Sequence, residues 1–320
     1  MLALLVVGLT LLGSLGCTGN AKQEAYPKGP VELVVPQAAG SGPDLAGRAI
    51  ADWVSKKWGK PITVVNRPGA GHIVGTQSVL QAKPDGYTML VDGDAASAFQ
   101  ILAADKLPYK WDDRTFIASF ARAPMIYVVN GSSPFKSLKD IEQRIKSDPA
   151  TFKSSWQATN TVTGVTALQF FRAIGVDPKT VKLVEYQSTN EAITALAGGH
   201  IDFATVTLSV ALPFVEMGKV RIVAITGDER LKRLPDVPTA AEQGYRINQY
   251  YWQGVSGPQG LPKQVADKWA TAIKEMIADQ NFVSQLEKQQ LMFPSLLVGD
   301  EFKKMVLDEA QTIQRAMKGK

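Results

Sequence analysis

The chain holds a single cysteine, Cys17, and two histidines, His72 and His200, in 320 residues. One thiol excludes a disulfide framework and any thiolate zinc site. The histidines are far apart in sequence and no carboxylate cluster adjoins either, so no metal centre is expected. No Gly-x-x-x-x-Gly-Lys-Ser/Thr and no Gly-x-Ser-x-Gly occurs, which removes a phosphate loop and a nucleophile elbow. Charge is close to balanced, 35 basic against 30 acidic residues, and the net +5 is scattered. Without a Lys/Arg-rich block to track a phosphate backbone, nucleic acid is not an expected partner. Long apolar runs are also missing. The longest, residues 2–12, falls short of the roughly 20 residues that span a bilayer.

What is present begins with targeting. Residues 1–21 carry no charge, and the apolar run leads into Gly13-Ser14-Leu15-Gly16-Cys17. Small residues ahead of a cysteine resemble a bacterial lipoprotein signal, although Ser14 stands where that motif prefers Leu and no basic residue precedes the run. Residues 1–17 are therefore expected to be a leader with Cys17 the lipidation site, and 18–27 a polar tether. The protein is expected to be exported, periplasmic or at the cell surface.

Beyond the tether the chain alternates β-branched runs with helical periodicity. Strands are expected at 31–36, 62–65, 87–91, 126–129, 181–185, 201–206 and 220–225. Helices are expected at 44–58, 73–82, 138–145, 165–174 and 190–198. The last 60 residues read as mostly helix: Val265, Trp269, Ile273 and Ile277 share one face, as do Phe302, Met305, Val306, Ile313 and Met317. This is an α/β pattern with parallel sheets. Two small-residue loops follow strands and precede helices, Ala38–Pro43 and Asn66–Gly71. Such loops leave backbone N–H groups uncovered at a helix N-terminus, where an anion is favoured. Tight βα turns also need glycine for geometry alone, so each loop by itself is weak. Gly69-x-Gly71-x-x-x-Gly75 misses the dinucleotide spacing by one residue, and no cofactor is expected.

Five stretches in order resemble the extracytoplasmic solute-binding proteins of tripartite tricarboxylate transporters, the Bug family. They are Val34-Val35-Pro36 with Ala39-Gly40 and Asp44; Asn66 to Gly71; Pro84-Asp85-Gly86-Tyr87-Thr88; Leu234 to Thr239 with Glu242-x-Gly244; and Trp252-x-Gly254 with Pro258. The resemblance implies a two-domain periplasmic-binding-protein (Venus-flytrap) fold, each domain a mainly parallel sheet flanked by helices. Domain 1 would comprise 28–129 plus 232–320, and domain 2 would be 130–231. It also implies a small organic carboxylate in the cleft, no catalysis, a monomer, and delivery to a permease with large and small membrane subunits. A sensor for a membrane signalling partner and an enzyme on the same architecture are the alternatives. Carried onto this chain, the expected ligand-binding residues are Gln37, Ala38, Ala39, Gly40, Ser41, Gly71 and His72 in the first domain. In the second they are Thr159, Asn160, Thr161, Thr163 and Thr207. Gln37 replaces a usual aromatic, and His72 a usual glycine.

Overall fold

The computed structural model describes residues 26–102, 106–157, 161–186 and 188–318. Cys17, the leader and Ala158–Asn160 lie outside them. The expected tether ends earlier than residue 27, because Tyr26 is buried: its hydroxyl donates to the Gly86 carbonyl (2.5 Å) and accepts from Trp269 Nε1 (2.9 Å).

The first third of the chain follows its local signals. β1 (Val31–Val35) and β2 (Ile62–Asn66) flank α1 (Gly42–Trp58). Ser41 caps α1, Asp44 sits in its first turn, Lys56 and Lys57 in its last, and Gly59 closes it at φ 64°. α2 (Ile73–Leu80), β3 (Thr88–Gly93) and the short α3 (Ala98–Leu102) come next. β4 (Arg114–Asn130) is much longer than the expected 126–129.

α4 (Leu138–Ser147), β5 (Lys153–Trp156), α5 (Val162–Ala173), β6 (Lys182–Glu185), α6 (Thr189–Ala197), β7 (Phe203–Thr207), α7 (Leu208–Glu216) and β8 (Val220–Ile225) complete the middle. The C-terminal part is mostly helix, as its periodicity predicts. β9 (Tyr250–Pro258) precedes it, and β10 (Phe293–Val298) interrupts α8 (Lys263–Met276), α9 (Gln280–Gln285), a π-turn at Leu286–Gln290 and α10 (Asp300–Lys318). Phe302, Val306 and Ile313 of α10 are fully buried, whereas Met317 is exposed.

Strand order is β2-β1-β3-β9-β4-β7-β5-β6, with β8 and β10 also on β4. β4 belongs to two sheets. From Arg114 to Pro124 it pairs with β9, and from Met125 onward with β7 and β8. Each sheet is mixed rather than mainly parallel. β2-β1-β3 and β6-β5-β7 are parallel, as a β–α alternation requires, but every pair made by β4 or β9 is antiparallel.

Each sheet has its own core. Leu33, Val35, Ile50, Met89, Trp269 and Ile273 pack in the first. In the second, Tyr127 and Val129 face a cluster with Phe152, Phe170 and Phe203, while Ile126 and Val128 face the opposite cluster. That alternation is the period of two of a strand buried on both faces. Ala240, Tyr245 and Ile247 pack in the second core, although the expected boundary put residues after 231 with the first domain.

Candidate functional site

A cleft of about 520 Å³ opens where the two sheets meet. From the first sheet come Gln37, Gly42, Pro43, His72 and Tyr251. From the second come Gln157, Thr161, Val162, Thr163, Thr189, Thr207, Leu208 and Ser209. Gln289, Gln290, Leu291 and Met292, at and just after the π-turn, close one side. None of the lining residues is Asp, Glu, Lys or Arg. The N-terminal ends of five helices, α1, α2, α5, α6 and α7, contribute lining residues. The positive ends of their dipoles supply the attraction for an anion that formal cations would otherwise supply. Three are capped by a side chain, from Ser41, Thr161 and Ser188. α2 and α7, one on each side of the cleft, have no side-chain cap.

The two first-sheet loops are locked together. Asp44 is buried and its carboxylate accepts from Gly40 N–H (2.8 Å), Asn66 Nδ2 (2.9 Å) and Arg48 Nε (3.0 Å). Burial alone would raise its carboxyl; the bonds from Arg48, Gly40 and Asn66 outweigh that and hold it below the usual range. Asn66 also donates to the Gln37 carbonyl (3.1 Å), and Arg67 reaches Ser78 (2.8 Å) and Glu32. The Asn-Arg of the second loop is thus a clamp for the loops. Gly40 N–H is committed to Asp44 and Ser41 N–H to the Ala38 carbonyl, whereas for the Gln37, Ala38, Ala39 and Gly42 amides no bond is found among the described residues.

Ala70, Gly71 and His72 all have positive φ (46°, 62° and 74°), so the second loop winds left-handed into α2. A Cβ on Gly71 would meet nothing within 4 Å, whereas one on Gly75 would lie 2.6 Å from the Arg67 carbonyl and 2.7 Å from Pro36 Cα. The close approach that needs glycine is therefore at Gly75, where α2 crosses both loops. His72 Nδ1 sits 3.1 Å from the Pro36 carbonyl. Burial lowers its pKa, and that carbonyl opposes the shift in part.

Across the cleft, Gln157 Oε1 accepts from Thr163 (2.6 Å) and Thr189 (3.2 Å), and Thr161 Oγ1 donates to the Gln157 carbonyl (2.9 Å). With its oxygen held, no acceptor for the Gln157 amide nitrogen is found among the described residues. Thr207 Oγ1 lies 3.2 Å from Ser209 Oγ.

Behind the cleft a recess of about 10 Å³ shares Gln37, Pro43, His72 and Tyr251 and adds Asp92 and Asp94. Asp92 is engaged by the buried Arg114 (3.1 Å) and by Ser97 (2.6 Å). Burial, with the charge of Asp92, pushes the Asp94 carboxyl up to about 7. No group of three or more metal-ligating side chains occurs among the described residues.

Of the expected site residues, Gln37, His72, Thr161, Thr163 and Thr207 line the cleft. Ala38, Ala39, Gly40, Ser41 and Gly71 stand in its loops without lining it, and Thr159 and Asn160 fall outside the described residues. Gln157, Tyr251, Thr189, Ser209 and the segment Gln289–Met292 were not anticipated. Tyr251 adjoins the Trp252-x-Gly254 motif, which was a usable signal; the Gln289–Met292 segment carries none.

Two α/β units around an uncharged cleft, ringed by helix N-termini, define a solute receptor. The sequence profile of the tripartite tricarboxylate transporter family receptor matches residues 46–318. The UPF0065 protein in gbd 5'region of Cupriavidus necator is 30% identical over 284 residues, 87% of this chain and 83% of that protein. The periplasmic binding protein BugD is 25% identical with a TM-score of 0.70, covering 92% of this chain and 97% of that one. MatC from Rhodopseudomonas palustris, solved with bound malate, is 27% identical with a TM-score of 0.67, covering 92% and 98%. The chain belongs to the tripartite tricarboxylate transporter receptor family, a family of solute-binding proteins rather than enzymes. Among the described residues no helix is long and apolar enough to cross a membrane.

Proposed function

We propose that the chain captures a short dicarboxylate in this cleft and delivers it to the large and small membrane subunits of a tripartite transporter. The carrying observation is the pairing of two uncapped helix N-termini, α2 and α7, across a cleft without a formal charge. One carboxylate would meet α2 and the loops beside His72; the other would meet α7 with Thr207 and Ser209. A tricarboxylate would leave its third charge without an uncapped helix N-terminus. The malate held by MatC agrees with this class. The site comprises Gln37, Ala38, Ala39, Gly71, His72, Gln157, Thr161, Thr163, Thr207 and Tyr251, with Thr159 and Asn160 completing the second-sheet loop.

The same reading divides the chain into lobes at 26–124 with 250–318, and 125–249, which close on the ligand as it adds contacts to both. It also takes the protein to be an exported, monomeric receptor tethered through lipid on Cys17.

Titration calorimetry with malate and with its dimethyl ester tests the proposal. The diacid should bind and the ester should not. An ester that binds as tightly as the acid sinks the anion reading.

A further inference from the structure

β4 and β9 pair through the junction of the lobes, Ala123 opposite Tyr251 and Pro124 opposite Tyr250. Successive side chains of a strand point to opposite faces. The Ala123–Tyr251 pair lines the ligand cleft, whereas Pro124 and Tyr250 line a second groove of about 510 Å³. That groove therefore lies on the reverse face of the ribbon that joins the lobes. The π-turn is divided in the same way: Gln289 and Gln290 belong to the cleft, Glu287 and Lys288 to the groove.

In charge the two faces are opposites. The cleft has no charged side chain; the groove has five cations, Arg122, Arg230, Lys232, Arg233 and Lys288, against Glu229 and Glu287. Arg230 is paired with Glu242 at 2.9 Å. For Arg122, Lys232, Arg233 and Lys288 no ion pair is found among the described residues. The Arg122 guanidinium lies 4.5 Å over the Tyr250 ring, which fixes it without neutralising it. Leu231, Tyr250 and Phe293 add apolar surface to the same groove.

We propose that this groove docks an acidic polypeptide segment, carrying apolar side chains between its carboxylates, from a partner protein. Unneutralised cations around one concavity call for several carboxylates. The apolar lining calls for side chains that an inorganic anion does not have, and the volume exceeds what such an anion fills. A concave site also suits a chain segment better than the flat surface of a membrane. This surface is separate from the cleft and does not depend on which ligand the cleft takes.

The test is fluorescence anisotropy with a short labelled peptide of alternating glutamate and leucine. Its glutamine–leucine counterpart and phosphatidylserine vesicles are the controls. The wild type should bind the acidic peptide, less tightly as salt is added. The Lys232→Glu/Arg233→Glu/Lys288→Glu variant should bind it about tenfold more weakly or worse, with Lys288→Glu alone intermediate. All three side chains are exposed, so melting temperature and malate titration should match the wild type. Undiminished binding by the variants, equal binding of the glutamine peptide, or binding of vesicles without the peptide each overturns the proposal. If malate fails to bind either protein while the peptide result holds, the reading of the cleft fails and the groove stands.

Discussion

His72 carries one hydrogen when neutral, and its place is fixed. Nδ1 faces the Pro36 carbonyl at 3.1 Å, and a carbonyl only accepts, so the proton is on Nδ1 and Nε2 holds a lone pair. A ligand carboxylate meeting Nε2 would be repelled unless the ring gained a second proton. Of the nearby groups, Asp44 is bonded to Arg48 and Asp92 to Arg114, and the second-lobe lining is uncharged; Asp94, in the shared recess and raised to about 7, is the other group whose protonation a bound anion would favour. Burial lowers the pKa of the free form, and a bound anion raises it. Binding should therefore take up a proton, and affinity should fall as pH rises through the raised value. Calorimetry of malate in buffers of different protonation enthalpy should show that uptake, and His72→Gly should reduce it, leaving any share taken by Asp94. Because His72 has φ 74°, glycine there should also relieve roughly 1 kcal/mol of backbone strain and leave the melting point no lower. Identical proton uptake in the variant would assign it to another group.

At the scale of elements, the first turn of α1 organises the site. The Asp44 carboxylate ties Gly40, Arg48 and Asn66, so one side chain fixes both ligand loops against the helix. Its pKa is depressed in the folded state, so the stability it gives is present above about 3.9 and is lost as pH falls through the folded value. Asp44→Asn puts an amide NH₂ toward one of these donors and should cost roughly 1–3 kcal/mol in urea unfolding at neutral pH. It should also weaken malate and flatten the acid limb of the stability curve. An unchanged unfolding midpoint would mean that the loops hold their shape without it. Elements with local signals were legible in the sequence: the start of α1 near Asp44 and the paired loops 38–43 and 66–71 follow from helix-start and turn chemistry, whereas the Ser41 cap emerged only in the structure. β4 was read only at its end, because it is buried on both faces and shows no alternation. The π-turn and Leu291, at φ 53°, adopt a backbone that no side-chain pattern announces. Gln157 was missed because its role comes from Thr163 and Thr189, which only the tertiary fold brings to it.

In the whole molecule, two chain segments pass between the lobes, β4 at Met125 and the approach to β9 at Gln249, and the segment after β8 at Thr226 lies against both. One hydroxyl joins all three. Thr226 Oγ1 accepts from Met125 N–H (2.8 Å) and donates to the Gln249 carbonyl, and Thr226 N–H donates to the Met125 carbonyl (2.8 Å). Thr226 is fully buried, so no water replaces these bonds when one is lost. Next to it Gly227 has φ 94°, and a Cβ there would fall 2.2 Å from the Tyr250 hydroxyl, so the Tyr250 side chain packs directly on this glycine. Thr226→Val keeps the shape and removes the hydroxyl. It orphans Met125 N–H and the Gln249 carbonyl, at roughly 1–3 kcal/mol for each unsatisfied group. Thr226→Ser restores both bonds and should recover most of the loss. With the crossings unpinned, the ligand-free lobes should also sample a wider range of openings. Small-angle scattering should then show a larger radius of gyration for the valine variant without malate, and convergence with the wild type when malate saturates the cleft. A valine variant that melts with the wild type, and scatters like it without ligand, would show that strand pairing along β4 alone fixes the hinge.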